Sequence, residues 1–239
     1  MNKEVLVQEL QKININLSDE QLKQIDDFCL FLLAENKKYN LTAIRDYNET
    51  LLKHVYDSLT LSLAVDLNNE PNLLDIGSGA GFPGIIIKIV YPHLDVTLLD
   101  SNGKKTNFLK QAIQLLQLEN ITIVNERAET YIKAHREGFA IVTARAVASL
   151  SVLLELAVPF QKITGIFVAM KGTVESEFAE AKEACSFLGC QITELKELTL
   201  PFENSKRTLV LVKKLGKTAH LYPRTYDKIL KKPLKRNKK

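Results

Sequence analysis

One acid and three glycines carry the chemistry most plainly in this chain. Asp75, Gly77, Gly79 and Gly81 stand two residues apart at the end of a short apolar run, and Phe82-Pro83-Gly84 follows them. Glycine has no Cβ and tolerates positive φ, so such a loop lets backbone approach a ligand closely. In an open α/β sheet, the loop after the first strand is where a nucleotide-like group sits. An acid at the strand end can hold a cationic amine, directly or through water. The same stretch holds a second pattern, because Gly79, Gly81 and Gly84 spell G-x-G-x-x-G, the dinucleotide spacing. The acid-first register fits the local structure better. Gly77 and Gly79 already occupy the turn, and Gly84 falls after Pro83, in the first turn of a helix.

The acid-first pattern resembles motif I of class I S-adenosylmethionine (SAM) methyltransferases. Other residues suit the same cofactor. Asp100 ends the second apolar run, 19 residues after Gly81, where a carboxylate can accept from both ribose hydroxyls; capping the next helix is its other reading. Ala128-Glu129 follows the third run, where a backbone amide and a carboxylate can read the edge of adenine; taken alone, Glu129 reads as a surface acid. Arg145, among small residues after the fourth run, and Lys171, at the end of the fifth, fall on the rim where ligands bind. Each can serve the cofactor or a substrate phosphate, or form a structural ion pair. Two signatures are missing. No Asn/Asp-Pro-Pro-aromatic element for exocyclic amines follows the fourth run, and no cysteine stands where a cytosine-C5 enzyme needs its nucleophile. A ring nitrogen such as guanine N7 needs neither base nor covalent step, only alignment and electrostatics.

These residues need elements to position them. Ser18 to Gln21 is an S-x-x-Q capping box, followed by Leu22, Ile25, Cys29, Leu32 and Leu33 at helical spacing to about Lys38. Asp46 to Glu49 caps a second helix, read over 50–65, which carries His54, Asp57 and Ser58. From Pro71 the pattern alternates: strands over 72–76, 95–100, 121–124, 140–143 and 165–170, helices over 83–91, 104–118, 150–158 and 175–188. Runs 192–200 and 208–212 have little between them and read as a hairpin. The expected fold is α/β: a mostly parallel, Rossmann-like class I SAM-methyltransferase sheet with helices on both faces, a C-terminal antiparallel hairpin and an N-terminal helical extension. The expected organisation is an extension over 1–70, a methyltransferase domain over 71–214 and a basic, flexible tail over 215–239.

Composition bounds the class. The chain has 239 residues, 46% hydrophobic and 25% charged, as in globular proteins. No apolar run approaches the ~20 residues of a membrane span, and residues 1–10 lack a signal-peptide core. Cys29, Cys185 and Cys190 have no metal-ligand spacing and read as buried thiols of a reducing cytoplasm. The four histidines offer no partner set for the acid/base dyad of an NAD-dependent oxidoreductase, which the terminal hairpin also disfavours, and no metal is expected. From Lys213 to Lys239 the net charge is +10; the whole chain carries +4, so residues 1–212 carry −6. A basic end on an acidic body points to a polyanion such as nucleic acid, or simply to a solvated terminus.

The set Asn40-Leu41-Thr42, His54-Val55-Tyr56-Asp57-Ser58-Leu59, Asp75 to Gly84, Thr143-Ala144-Arg145-Ala146 and Met170-Lys171-Gly172, in this order, closely resembles the bacterial RsmG family, also known as glucose-inhibited division protein B. The resemblance runs from about Ser18 to Val212, and Tyr222-Pro223-Arg224 also looks familiar. It implies methyl transfer from SAM to N7 of one guanine in 16S ribosomal RNA of the small subunit, near the decoding centre, by a cytoplasmic and monomeric enzyme. By position it places cofactor contacts at Gly77, Phe82, Ala128, Glu129 and Arg145, beside the Asp75, Gly79 and Asp100 argued above. Arg145 and Lys171 are the catalytic candidates. Asn40, His54, Asp57 and Lys171 fall on the substrate side. His54 and Asp57, three apart on a helix, are neighbours that either buttress the helix against the sheet or meet RNA.

Overall fold

The computed structural model describes residues 1–234. Seven strands form one sheet in the order β3-β2-β1-β4-β5-β7-β6. They are β1 (Asn72–Ile76), β2 (Asp95–Leu99), β3 (Ile121–Val124), β4 (Phe139–Arg145), β5 (Gln161–Lys171), β6 (Cys190–Thr199) and β7 (Lys206–Lys214). The first five are parallel, and β7 runs antiparallel to both β5 and β6. This is the expected α/β architecture with its terminal hairpin. Ten α-helical segments accompany it among the described residues: α1 (Lys3–Lys12), α2 (Asp19–Tyr39), α3 (Tyr47–Thr50), α4 (Asp57–Leu59), α5 (Gly84–Val90), α6 (Gly103–Leu116), α7 (Ala128–His135), α8 (Leu150–Ala157), α9 (Phe178–Leu188) and α10 (Tyr226–Lys231).

Strand periodicity splits the core in two. Successive side chains of a strand point to opposite faces, so Leu73, Ile141, Val168 and Leu211 join one cluster, while Leu74, Val142, Phe167 and Val212 join the other. The first cluster holds the N-terminal helices together with α5 and α6. Phe28 of α2 packs on Phe82 and Phe108 with ring centroids 5.3 and 6.3 Å apart. The second holds α7, α8, α9 and α10. The three cysteines are free and buried, as expected.

The capping box of Ser18 and Gln21 starts α2, and Asp46 caps α3 by accepting from the Glu49 amide. The helix read over 50–65 is not uniform. Between α3 and α4 the residues Leu51–Tyr56 form a π-helix, and Thr60–Leu63 close as a 3₁₀ turn. Three helices were not anticipated, one of them α10, in the segment read as a flexible tail. In α1 the only buried residues, Leu6 and Leu10, sit one turn apart on a polar segment. In α7, Ala128 and Glu129 are the first helical residues rather than loop. Asp100 does not cap α6; Asn102 does, accepting from the Lys104 and Lys105 amides.

Residues 215–234, read as a flexible tail, pack against the second cluster: Tyr222, Ile229 and Leu234 are buried there. The remaining basic residues Lys235, Arg236, Lys238 and Lys239 lie outside the described residues.

Candidate active site

Two cavities open at the C-terminal edge of the parallel strands. The first, about 300 Å³, runs across the ends of β1, β2 and β3; Gly77, Asp100, Ala128, Glu129 and Tyr226 are among its walls. The second, about 360 Å³, lies beyond β4 and β5 and is walled by His54, Asp57, Arg145, Lys171 and Arg207, among others. Ala146 lines both, so the two meet at the residue that follows β4. It sits at φ +55°, a left-handed conformation that costs a non-glycine residue energy and is concentrated at functional sites.

The first cavity depends on the glycine loop. Gly77 has φ +70°, and a Cβ there would lie 2.5 Å from a methyl of Val147. Its amide donates to the Leu99 carbonyl, tying the loop to β2. Asp100 organises the far wall: one carboxylate oxygen accepts from the Gly79 amide at 2.9 Å, the other from the Asn102 amide at 2.8 Å. Each oxygen keeps a lone pair for a further donor. Ile76, Leu99, Val147 and Leu156 supply apolar surface, and Asp100, Glu126 and Glu129 outnumber Lys105 and Arg127. An adenosine bearing a cationic substituent fits this donor set.

Asp75 is not a wall of either cavity. Its carboxylate is fully buried, with one oxygen accepting from the Gly84 amide at 3.0 Å and the other without a partner. Burial pushes it up to about 7, against the opposing pull of the Gly84 amide and Arg145. Gly84 admits this contact, since a Cβ there would lie 2.2 Å from Leu98 and 2.8 Å from the carboxylate. The third glycine of the dinucleotide spacing therefore serves packing.

Arg145 organises the second cavity. Its Nη1 donates to the Lys53 carbonyl at 3.0 Å and to Asp57 at 3.1 Å, and its Nη2 donates to Nδ1 of His54 at 3.1 Å. The guanidinium carbon stands 5.4 Å from the centroid of Phe82, which stacks on the His54 ring at 4.4 Å. Burial lowers the Arg145 pKa, and Asp57 and Asp75 oppose it; guanidinium remains the charged form. Asp57 also accepts from Nε of Arg207 at 3.0 Å. His54 and Asp57 thus meet through Arg145. Lys171, which lines the same cavity, pairs with Glu177 at 3.0 Å and donates to the Ala148 carbonyl. Lys53, His54, Asp57, Arg145, Lys171 and Arg207 leave this cavity with four cations against one carboxylate.

Among the sequence candidates, Gly77, Asp100, Ala128 and Glu129 line the first cavity. His54, Asp57, Arg145 and Lys171 line the second. Gly79, Phe82 and Asp75 stand behind the walls. Asn40 lies on neither; it is exposed and closes α2 in the left-handed conformation, which Asn tolerates. The side chain that fixes the following loop is Asn36, bonded to Thr42 and Ile44, and Thr42 in turn contacts Nε2 of His54 at 2.8 Å. Sequence reasoning missed Lys105, Arg127 and Tyr226 on the first cavity and Lys53 and Arg207 on the second. Arg207 had one available signal, a cation entering an apolar strand. No group of His, Cys, Asp and Glu among the described residues could hold a metal ion, and none of their helices is long and apolar enough to cross a membrane.

Comparison with known proteins matches this arrangement to a family. The model of the family GidB, rRNA small subunit methyltransferase G, covers residues 21–210. The ribosomal RNA small subunit methyltransferase G of Bacillus cytotoxicus is 44% identical, over 94% of this chain and 95% of that one. Its counterpart in Lactobacillus johnsonii is also 44% identical, over 98% of this chain and all of the other. Among solved structures, a SAM-dependent O-methyltransferase from Thermotoga maritima shares the fold with a TM-score of 0.52 at 14% identity, covering 79% of this chain and 73% of that one. With family model, relatives, sheet order and glycine loop in agreement, the chain belongs to the rRNA small subunit methyltransferase G family.

Proposed function

We propose that this protein transfers the methyl group of SAM to N7 of a specific guanine in 16S ribosomal RNA. The observation that carries this reading is the meeting of two unlike cavities at Ala146, one suited to an adenosine cofactor and one walled by cations. Bound in the first cavity, SAM supplies an electrophilic methyl on a sulfonium. Asp100 would hold the ribose, Gly77 would bring backbone to the amino-acid end, and Ala128 and Glu129 would face the adenine.

In the second cavity the protein positions the acceptor. The guanine N7 lone pair forms the new carbon–nitrogen bond as the carbon–sulfur bond breaks, and the sulfonium electrons return to sulfur. No proton leaves the acceptor atom, so no base is required and no enzyme adduct forms. His54 agrees with this, because its Nδ1 lone pair is already occupied by Arg145. Arg145 itself retains its Nε–H and one Nη2–H for a substrate oxygen, such as a backbone phosphate or guanine O6. Alignment then supplies most of the rate.

In this reading the enzyme acts as a monomer. The partner is 16S rRNA or the small subunit, a precursor particle included, and the compartment is the cytoplasm. The test is transfer of labelled methyl from SAM to small subunits from cells lacking the gene, with the product nucleoside identified. Label as 7-methylguanosine at one site is the expected result; label in another nucleoside, or none in RNA, overturns the proposal.

A further inference from the structure

The family match ends at residue 210, yet Tyr226, beyond it, forms part of the wall of the first cavity. The segment that carries it is fastened to the body at two points. Arg136, which follows α7, donates from Nη1 to the Tyr222 carbonyl at 2.8 Å and from Nη2 to the carbonyls of Thr218 and Ala219 at 3.1 and 3.2 Å. Further along, Glu155 of α8, with no exposure to solvent, accepts from the Arg224 amide and from its Nε and Nη2, at 2.9, 2.8 and 2.6 Å. An isolated buried carboxylate is costly. Here Arg224 meets it side-on with two parallel bonds, the strongest arrangement available to this pair. Ile229, fully buried, and Leu234 complete the docking.

The latch falls two residues before Tyr226 and settles where that ring lies. The Tyr226 amide approaches the Glu129 carboxylate at 3.4 Å, and the Arg127 guanidinium lies 5.6 Å from the ring centroid. Gly77 follows β1, Asp100 follows β2, and Ala128 opens α7 after β3. A cofactor lying across these strand ends in that order puts its base beside Ala128 and Glu129, the end that Tyr226 closes. An aromatic ring there offers a stacking face to a purine, while Glu129 and the α7 backbone offer polar groups to its edge.

We propose that the C-terminal segment 218–231 is a structural part of the cofactor site, with Tyr226 a contact residue for the adenine ring and the Arg224–Glu155 pair a latch that positions it. This rests on the reading of the first cavity as the SAM site. It assigns a cofactor role to a part of the chain that lies beyond the span of the family model and that charge alone marks as an RNA-binding tail.

The test measures binding of S-adenosylhomocysteine to the full chain by titration calorimetry, and the KM values for SAM and for RNA in methyl transfer. Loss of base stacking predicts that Tyr226→Ala weakens binding about tenfold, and Tyr226→Phe keeps it within about twofold. Glu155→Gln and Arg224→Ala raise the KM for SAM about as much as Tyr226→Ala does, with the KM for RNA held within about twofold. A latch that serves stability alone would lower the unfolding temperature and leave the KM for SAM in place, and that result overturns the positioning role. Unchanged affinity in Tyr226→Ala overturns the contact, as does a rise in the KM for RNA alone. Failure of the unaltered protein to bind S-adenosylhomocysteine instead removes the assignment of the cavity, and the inference with it.

Discussion

Arg145 donates to Nδ1 of His54 at 3.1 Å. A guanidinium has no acceptor, so that ring nitrogen carries a lone pair and the ring is neutral, with its proton on Nε2 facing Thr42. Burial and the adjacent Arg145 push His54 down to about 3. Its role is to orient a cation, and with Nδ1 occupied and Nε2 protonated it has no free lone pair to act as a base.

The ionisation states of His54 and Asp75 give opposite pH dependences. His54 falls from 6.5 in the unfolded chain to about 3 when folded, so the unfolded state binds more protons between these values and stability is lost as pH falls through 6.5. Asp75 rises from 3.8 to about 7, so the folded state binds more protons and stability is lost as pH rises toward 7. Each amounts to about 2 kcal/mol between pH 7 and 5, and together they nearly cancel. His54→Gln leaves the Asp75 dependence alone, and the variant gains stability on acidification to pH 5. Asp75→Asn leaves the His54 dependence, and the variant loses stability over the same range. Urea unfolding at the two pH values measures both; parallel dependences in the two variants would contradict these ionisation states.

Replacing Arg145 separates position from charge. Arg145→Lys keeps a cation but cannot donate at once to the Lys53 carbonyl, Asp57 and His54. Turnover on unmodified small subunits is expected to fall about 100-fold, the scale of losing a preorganised donor. Asp57 retains Arg207, so the fold persists and circular dichroism is unchanged. Unaltered turnover at saturating SAM would remove Arg145 from the site.

How much of this was readable follows from which forces are local. The strands were legible because each buried strand is a short apolar run between turn residues, and the glycine loop because close backbone approach permits few residue types. The π-helix was not, since widening one turn leaves no mark on residue pattern, yet it carries Lys53 and His54 to Arg145. Helix α1 was missed because two leucines on a polar segment make too weak a periodicity. The types and rim positions of Arg145 and Lys171 were legible; their partners were not. Asp57 reaches Arg145 from 88 residues away and brings Arg207 with it, and Glu177 meets Lys171 only once the loop between them has turned. Tyr226 was hidden by the charge of its neighbours, which describes solvent behaviour and says nothing of where one ring docks.

Gly77 tests the loop by steric argument. Alanine there meets both an unfavourable φ of +70° and a Val147 methyl at 2.5 Å. The combined cost is about 2–4 kcal/mol, with loss of S-adenosylhomocysteine binding. Val147→Ala in the same chain removes the clashing methyls and leaves the backbone strain. The double variant should regain part of the stability in urea unfolding, and no recovery would show that Val147 is not the obstacle.

Asp100 is the sharpest test of the first cavity. Its two oxygens hold the Gly79 and Asn102 amides, so the glycine loop and the entry to α6 share one carboxylate. The lone pairs that remain are the ones a ribose would use. Asp100→Asn keeps size and one acceptor, but turns the other group into a donor facing a backbone N–H, and it removes the charge that strengthens each bond. Hydrogen bonds to charged groups contribute about 1.5–3 kcal/mol, so the dissociation constant for S-adenosylhomocysteine should rise roughly 10- to 100-fold. Asp100 does not line the second cavity, so affinity for the small subunit should stay within about twofold. Retained cofactor affinity with weakened RNA binding would reverse the assignment of the two cavities.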